Sequence, residues 1–146
     1  MKYLLLVLLL LPFNAFAITP TEKLVLDSIN KARVEHKLNK VSISKPLEKS
    51  SALKGSYMKK YNFYAHNWNG ISWTWFIPIE GELGENLSYT ASPKEVVRLW
   101  LNSPTHRENL LNPRFKYIGI RALNINAPRP HNAGNNNLAI ITHYSD

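Results

Sequence analysis

The sequence predicts an α+β fold, with helices packed on a small antiparallel sheet. Three observations carry that reading. Helical apolar spacing, opened each time by capping residues, recurs as far as Leu111. Two β-rich runs, Tyr117 to Leu123 and Leu138 to Tyr144, close the chain. No internal repeat or second compositional block divides the 146 residues, so one domain accounts for them.

Residues 1–17 read as a targeting segment. Lys2 supplies a charged start, Leu4 to Leu11 an apolar stretch, and Ala15-Phe16-Ala17 a small-x-small cleavage site. The apolar stretch falls short of the roughly 20 residues that a helix needs to cross a bilayer. The expectation is an exported domain, residues 18–146, with no transmembrane anchor, delivered to the periplasm or outside the cell.

Thr19-Pro20-Thr21-Glu22 reads as a capping box with proline at the first helical position. The helix it opens is expected to run to about Leu38, with Val25, Ile29 and Ala32 on its inner face. A second helix is expected from Pro46 to Lys60 or Tyr61, with Leu47, Leu53, Tyr57 and Tyr61 giving its apolar spacing. From Asn62 to Ala91 the chain is rich in aromatics and glycine, and long loops with short regular pieces are expected. Asn69-Gly70 marks a turn there.

A second capping box, Ser92-Pro93-Lys94-Glu95, predicts a third helix burying Val96, Val97, Trp100 and Leu101. Asn102-Ser103-Pro104 stops it. Ser103 and Pro104 open a short fourth helix to about Leu111, closed by Asn112-Pro113. Between the two terminal strands, Asn124 to Asn137 is full of Asn, Pro and Gly and is expected to be an exposed loop.

The charge is basic, 18 Lys and Arg against 10 Asp and Glu, a formal +8. Such a field favours anionic partners: phospholipid headgroups, cell-wall polymers or nucleic acid. The positive residues are scattered apart from Lys59-Lys60, which is also the pattern of a merely soluble surface and is no sign of specific nucleic-acid recognition. The absence of cysteine excludes disulfides and thiolate zinc sites.

The most informative stretch runs from Trp100 to Pro113. It places His106 in the first turn of the fourth helix, where the dipole favours the neutral imidazole. Together with Ile29-Asn30-Lys31-Ala32-Arg33, Tyr64-Ala65-His66, Gly84-Glu85-Asn86-Leu87, Phe115 and Tyr117-Ile118-Gly119-Ile120, it resembles the CAP superfamily. These are the cysteine-rich secretory, venom antigen and pathogenesis-related protein domains, and the likeness is nearest to the short, cysteine-free bacterial branch of SCP-like extracellular proteins. The resemblance implies a three-layer α-β-α sandwich. It also implies a cleft of two histidines and two glutamates able to hold a divalent metal. Residue by residue, these correspond to His66, Glu85 and His106. Ser103 stands where the second glutamate would fall, and Thr105 replaces the usual glycine.

Each candidate has a plainer role beside the functional one. His106 and His66 suit the cleft, or a structural hydrogen bond and aromatic packing. Glu85, on a glycine-started turn, aims into the cleft or caps local amides. Glu108 lies about 200° around the helix from His106 and is expected in solvent. His36, His131 and His143 are expected to be incidental. Trp68, Trp73 and Trp75, with Phe76, either line a groove for an acyl chain, sterol or sugar, or hold down a long loop. Asn86-Leu87-Ser88 matches a glycosylation sequon by chance.

Two imidazoles and a carboxylate are the right ligand types for zinc, with water in the fourth position. No catalytic nucleophile is identifiable: there is no Cys, and no Ser in a Gly-x-Ser-x-Gly elbow. The first functional reading is therefore a non-catalytic binding module for a lipid, a sterol or an anionic cell-envelope component. The second is a metal-dependent hydrolase using His66, Glu85 and His106. The third is a structural interaction protein whose cleft is a relic.

Overall fold

The computed structural model describes residues 17–90, 92–128 and 137–146. The targeting segment, apart from Ala17, and His131 lie outside these residues. The elements in chain order are α1 (Pro20–Glu35), β1 (Ser42–Ile43), α2 (Lys45–Tyr61), a 3-10 helix (Trp73–Phe76), β2 (Leu83–Thr90), α3 (Val96–Leu101), α4 (Pro104–Leu110), β3 (Tyr117–Asn124) and β4 (Leu138–Ser145).

The capping box forms as the sequence predicts. Thr19 Oγ1 accepts from the Glu22 amide, and Glu22 Oε2 accepts from the Thr19 amide. The other oxygen of Glu22 accepts from the Ala122 amide, so the cap also ties α1 to β3. The helix ends at Glu35, short of Leu38. Lys37 takes a left-handed φ of 61°, and the amides of Lys37 and Leu38 donate to Val34 and Arg33. This is a Schellman stop without its usual glycine, which is why composition did not reveal it.

The sheet has the order β1-β3-β4-β2. The three long strands pair antiparallel, and β1 adds a two-residue parallel edge to β3. One helical layer, α1, α3 and α4, covers a face of the sheet around Val25, Ile29, Trp100, Ile118 and Ile140. The other face meets α2 through Met58, Leu87, Ala139 and Ile141. The result is the expected three-layer α-β-α sandwich.

Four expectations need correction. The supposed loop region contains β2, an eight-residue strand whose buried residues hydrogen-bond along all of β4. Glycine and polar residues hid it, because Glu85 serves a site while only Leu87 and Tyr89 join the core. On α2, Leu53 and Tyr61 face solvent, whereas Leu47, Ser50, Ser51, Lys54 and Met58 are buried. Of the expected spacing, Leu47 is buried and Tyr57 partly so, whereas Leu53 and Tyr61 lie outside. The helix of the second capping box starts at Val96, because Ser92 to Glu95 form a turn. Finally, Ile125 and Ala127 are buried in the stretch expected to be exposed, and the Ile125 amide donates to Asn137.

Two details position the site. Asn69 and Gly70 close a tight hairpin between Trp68 and Ile71, both with positive φ. Arg33 is buried and donates to the carbonyls of Asn39, Leu110, Asn112 and Phe115, fastening the end of α4 to α1. Burial pushes the Arg33 guanidinium below its ordinary pKa.

A Cβ on Gly119 would lie 2.0 Å from the backbone carbonyl of Leu47, so α2 rests directly on β3. Gly119→Ala should therefore lower the unfolding free energy by about 3 kcal/mol or more. Gly70→Ala, in open space at φ +79°, should cost only about 1 kcal/mol of backbone strain. Urea denaturation of the two variants measures both effects.

Candidate functional site

Glu85 sits on β2, not on a turn, in direct register with His143 on β4. Strand alternation sends both side chains to the face covered by α2. There His143 Nε2 meets Glu85 Oε2 at 2.9 Å, and Ser50 Oγ of α2 meets His143 Nδ1 at 2.7 Å. The Lys54 ammonium, also from α2, lies 3.9 Å from Glu85 Oε2 and donates to the His66 carbonyl. His66, just beyond α2, brings Nδ1 to 2.7 Å from Glu85 Oε1. Both oxygens of the carboxylate are thus engaged.

Burial alone would push the Glu85 carboxyl up. The hydrogen bonds from His143 and His66, with the charges of His143 and Lys54, outweigh it and hold the group below the usual carboxylate range. An ionised carboxylate only accepts hydrogen bonds, so His66 Nδ1 and His143 Nε2 each carry a proton toward it. Burial drives Lys54 down, with Glu85 opposing the shift. The Lys54 ammonium lies over the rings of Phe76 and Phe63, at 4.9 and 5.6 Å.

His106 comes from the other helical layer. Its Nδ1 meets Ser103 Oγ at 2.8 Å, so Ser103 orients the imidazole from the position where a second carboxylate would stand. Burial, then the charge of His66, pushes His106 below its ordinary pKa. The direction matches that expected from the sequence, and burial is its first cause. Asn86 donates to the His106 carbonyl, and Asn109 donates to Glu85 O and Asn86 Oδ1. Asn86 is fully buried, which removes the glycosylation reading.

Two hollows meet at the His66–His106 pair. The more polar, of about 300 Å³, is lined by Glu85, Asn86, Thr105 and Asn109 together with Trp73, Leu83 and Gly84. A largely apolar one of about 520 Å³ is lined by Tyr64, Ala65, Leu87, Tyr89, Leu99 and Trp100. Both straddle β2, the edge strand. Asn109 caps the Glu85 carbonyl and Trp100 Nε1 the Leu87 carbonyl, so this edge offers little to an added strand.

Of the sequence candidates, His66, Glu85 and His106 line the polar hollow together. Trp73 joins them, 6.4 Å from the His143 ring. Trp68 instead stacks between Tyr61 and Phe63, and Trp75 packs on Tyr57 and Phe76. Glu108 is exposed, as helix geometry requires. His36 makes a local contact with the Ala32 carbonyl. His143 is the correction: it is fully buried and central. Its signal was the pairing of its strand with Glu85. Lys54 and Asn109 were also missed, although Asn109 is one turn from His106 on the same face.

The metal that the resemblance implies can be tested against this donor set. Glu85 spends both oxygens on hydrogen bonds, and among the described residues no three His, Cys, Asp or Glu converge as ligands. Two imidazoles face the cleft with Nε2 unengaged among those residues, which does not fit a zinc site with three protein ligands.

A family model described as the cysteine-rich secretory protein family, CAP, matches residues 26–127. The chain is 32% identical over 114 residues to the uncharacterized protein YkwD of Bacillus subtilis, covering 71% of this chain and 43% of that protein. It therefore spans less than half of this relative's length. Among solved structures, an outer surface protein from Borrelia burgdorferi matches with a TM-score of 0.72 at 23% identity, over 85% of this chain and 90% of that one. An extracellular protein containing an SCP domain from Bacillus anthracis matches at 0.66 and 18%, over 89% and 45%. At these identities the structural likeness shows the fold.

The depressed carboxyl of Glu85 contributes stability that is present above its unfolded pKa and is lost as pH falls through the folded value. Glu85→Gln should cost roughly 3 kcal/mol at pH 7, because it leaves the buried Lys54 without its counter-charge. The gap to wild type should narrow in acid. Adding Lys54→Met should restore part of the loss. Urea titrations across pH measure all three effects.

Proposed function

Because the chain belongs to the cysteine-rich secretory protein (CAP) family, we propose that it acts as an exported, non-catalytic binding domain whose cleft holds an amphipathic ligand, a lipid or sterol of the cell envelope. One observation carries this reading: the His66–His106 pair is shared by a polar and an apolar hollow, so one cleft offers both chemistries side by side. The polar end of a ligand meets the imidazoles and the Asn86–Asn109 side. Its apolar part lies over Leu87, Tyr89 and Leu99. Leu99 is 42% exposed, which leaves it surface to bury against such a ligand.

The same geometry speaks against hydrolysis. Glu85, the carboxylate a general base would need, is buried and committed to His66 and His143. Ser50 contacts His143 as a triad serine would, yet it is buried and its hydroxyl also reaches the Leu47 carbonyl. It positions the imidazole instead of attacking a substrate. Export is supported by the targeting character of residues 1–17 and by the outer-surface and extracellular relatives. Among the described residues, no helix is long and apolar enough to cross a membrane.

Calorimetry with lauroyl lysophosphatidylglycerol below its micelle concentration tests this reading. Saturable binding is expected, weakened roughly tenfold or more by Leu99→Asp, which places a charge in the apolar hollow. Zinc alone should give no saturable heat at micromolar concentration. Absence of lipid binding, or equal binding by Leu99→Asp, would contradict the proposal. Tight zinc binding lost in His66→Ala and His106→Ala would favour the metal reading instead.

A further inference from the structure

Part of the apolar surface of α2 lies away from the core: Leu47 and Met58 are buried, but Leu53 and Tyr61 are exposed. Lys49, Leu53, Tyr57, Lys60 and Tyr61 fall within about 120° of arc around the helix, counting 100° per residue. Lys49, Leu53 and Lys60 lie on its solvent side, while Tyr57 is partly buried at its inner border, toward the buried Ser50. Leu53 and Tyr61 are each 42% exposed. Trp75 packs beside the stripe, its ring 5.9 Å from that of Tyr57, and at 60% exposed it is the most open large apolar side chain among the described residues. A helix normally turns such a stripe inward. Here the inner face shares its room between the apolar Leu47 and Met58 and the polar Ser50, Ser51 and Lys54, which serve the Glu85 network and the close contact with the sheet.

The charge around the stripe is one-sided. α2 carries Lys45, Lys49, Lys59 and Lys60 toward solvent, and its one acidic residue, Glu48, is buried on the opposite side. Among the described residues neither Lys49, Lys59 nor Lys60 is in an ion pair. Lys60 lies with its ammonium 5.0 Å over the Tyr61 ring, a cation beside an aromatic face. Indole and phenol rings flanked by long-stemmed cations suit the headgroup region of a bilayer. The rings bury their apolar bodies there while the ammonium groups stay among phosphates.

We propose that the outer face of α2, with Trp75, docks on the surface of an anionic lipid bilayer. A soluble polyanion would be served by the lysines alone and would leave Leu53 and Trp75 in water. A bilayer satisfies both the charge and the exposed apolar side chains. The docking face adjoins the cleft through the 3-10 helix, in which Trp73 turns to the polar hollow and Trp75 outward. Docking is nonetheless independent of the cleft reading, because no docking residue named here lines that hollow.

Vesicle sedimentation of the exported chain tests the proposal, comparing phosphatidylcholine vesicles with and without phosphatidylglycerol. Binding is expected only with phosphatidylglycerol present. The Lys49→Gln/Lys60→Gln double variant should lower the partition coefficient roughly 25-fold, about fivefold per lysine. Brominated lipids should quench a fluorescence component that Trp75→Phe removes. Leu99→Asp, which disables the cleft, should sediment like wild type. Equal binding to neutral vesicles, an unquenched Trp75, or capture by polyphosphate or single-stranded DNA unaffected by Trp75→Ala would overturn the proposal. So would a Trp75-dependent dimer that fails to bind vesicles.

Discussion

The burial of one carboxylate, Glu85, is the constraint from which the site follows. An ionised group out of water needs hydrogen bonds and counter-charge from every side that the fold can supply. β4 brings His143 in strand register, α2 brings Lys54, and the segment after α2 brings His66. Two of these supporters have anchors of their own, Ser50 for His143 and the His66 carbonyl for Lys54. The His66 imidazole is thereby fixed at the mouth of the cleft by a network built behind it, while Ser103 orients His106 opposite. The carboxylate acts as the support of the cleft and not as its reagent.

That demand explains the unusual character of α2. The helix must approach the sheet closely, which Gly119 permits by giving up its side chain beneath Leu47. Its inner face must also carry the polar groups that Glu85 and His143 need. Beside the buried Leu47 and Met58, two apolar residues, Leu53 and Tyr61, appear outside. The inner face is thus part polar, and the outer face carries lysines together with exposed Leu53 and Tyr61.

Much of this was legible in the sequence where local chemistry decides structure. The capping box at Thr19, the Asn69-Gly70 turn, the short helix of Pro104 and the two terminal strands all obey local rules, and all formed. His66, Glu85 and His106 were found through the resemblance. Features set by tertiary context were not legible. β2 lacks the branched and aromatic run that marks a strand, because residues such as Glu85 and Asn86 face a site. His143 looked incidental because its partner lies 58 positions away and meets it only through register. The true face of α2 was hidden, since spacing alone does not say which of two faces meets the sheet.

The protonation of His66 tests the account most directly. Long-range proton–nitrogen correlation spectra of the imidazole side chains distinguish Nδ1 from Nε2. If Glu85 is an ionised support, His66 Nδ1 carries a proton at neutral pH that exchanges slowly with water, and that protection disappears in Glu85→Gln. A bare Nδ1 on His66, or a ring that averages both tautomers as free imidazole does, would mean that the carboxylate does not hold the cleft.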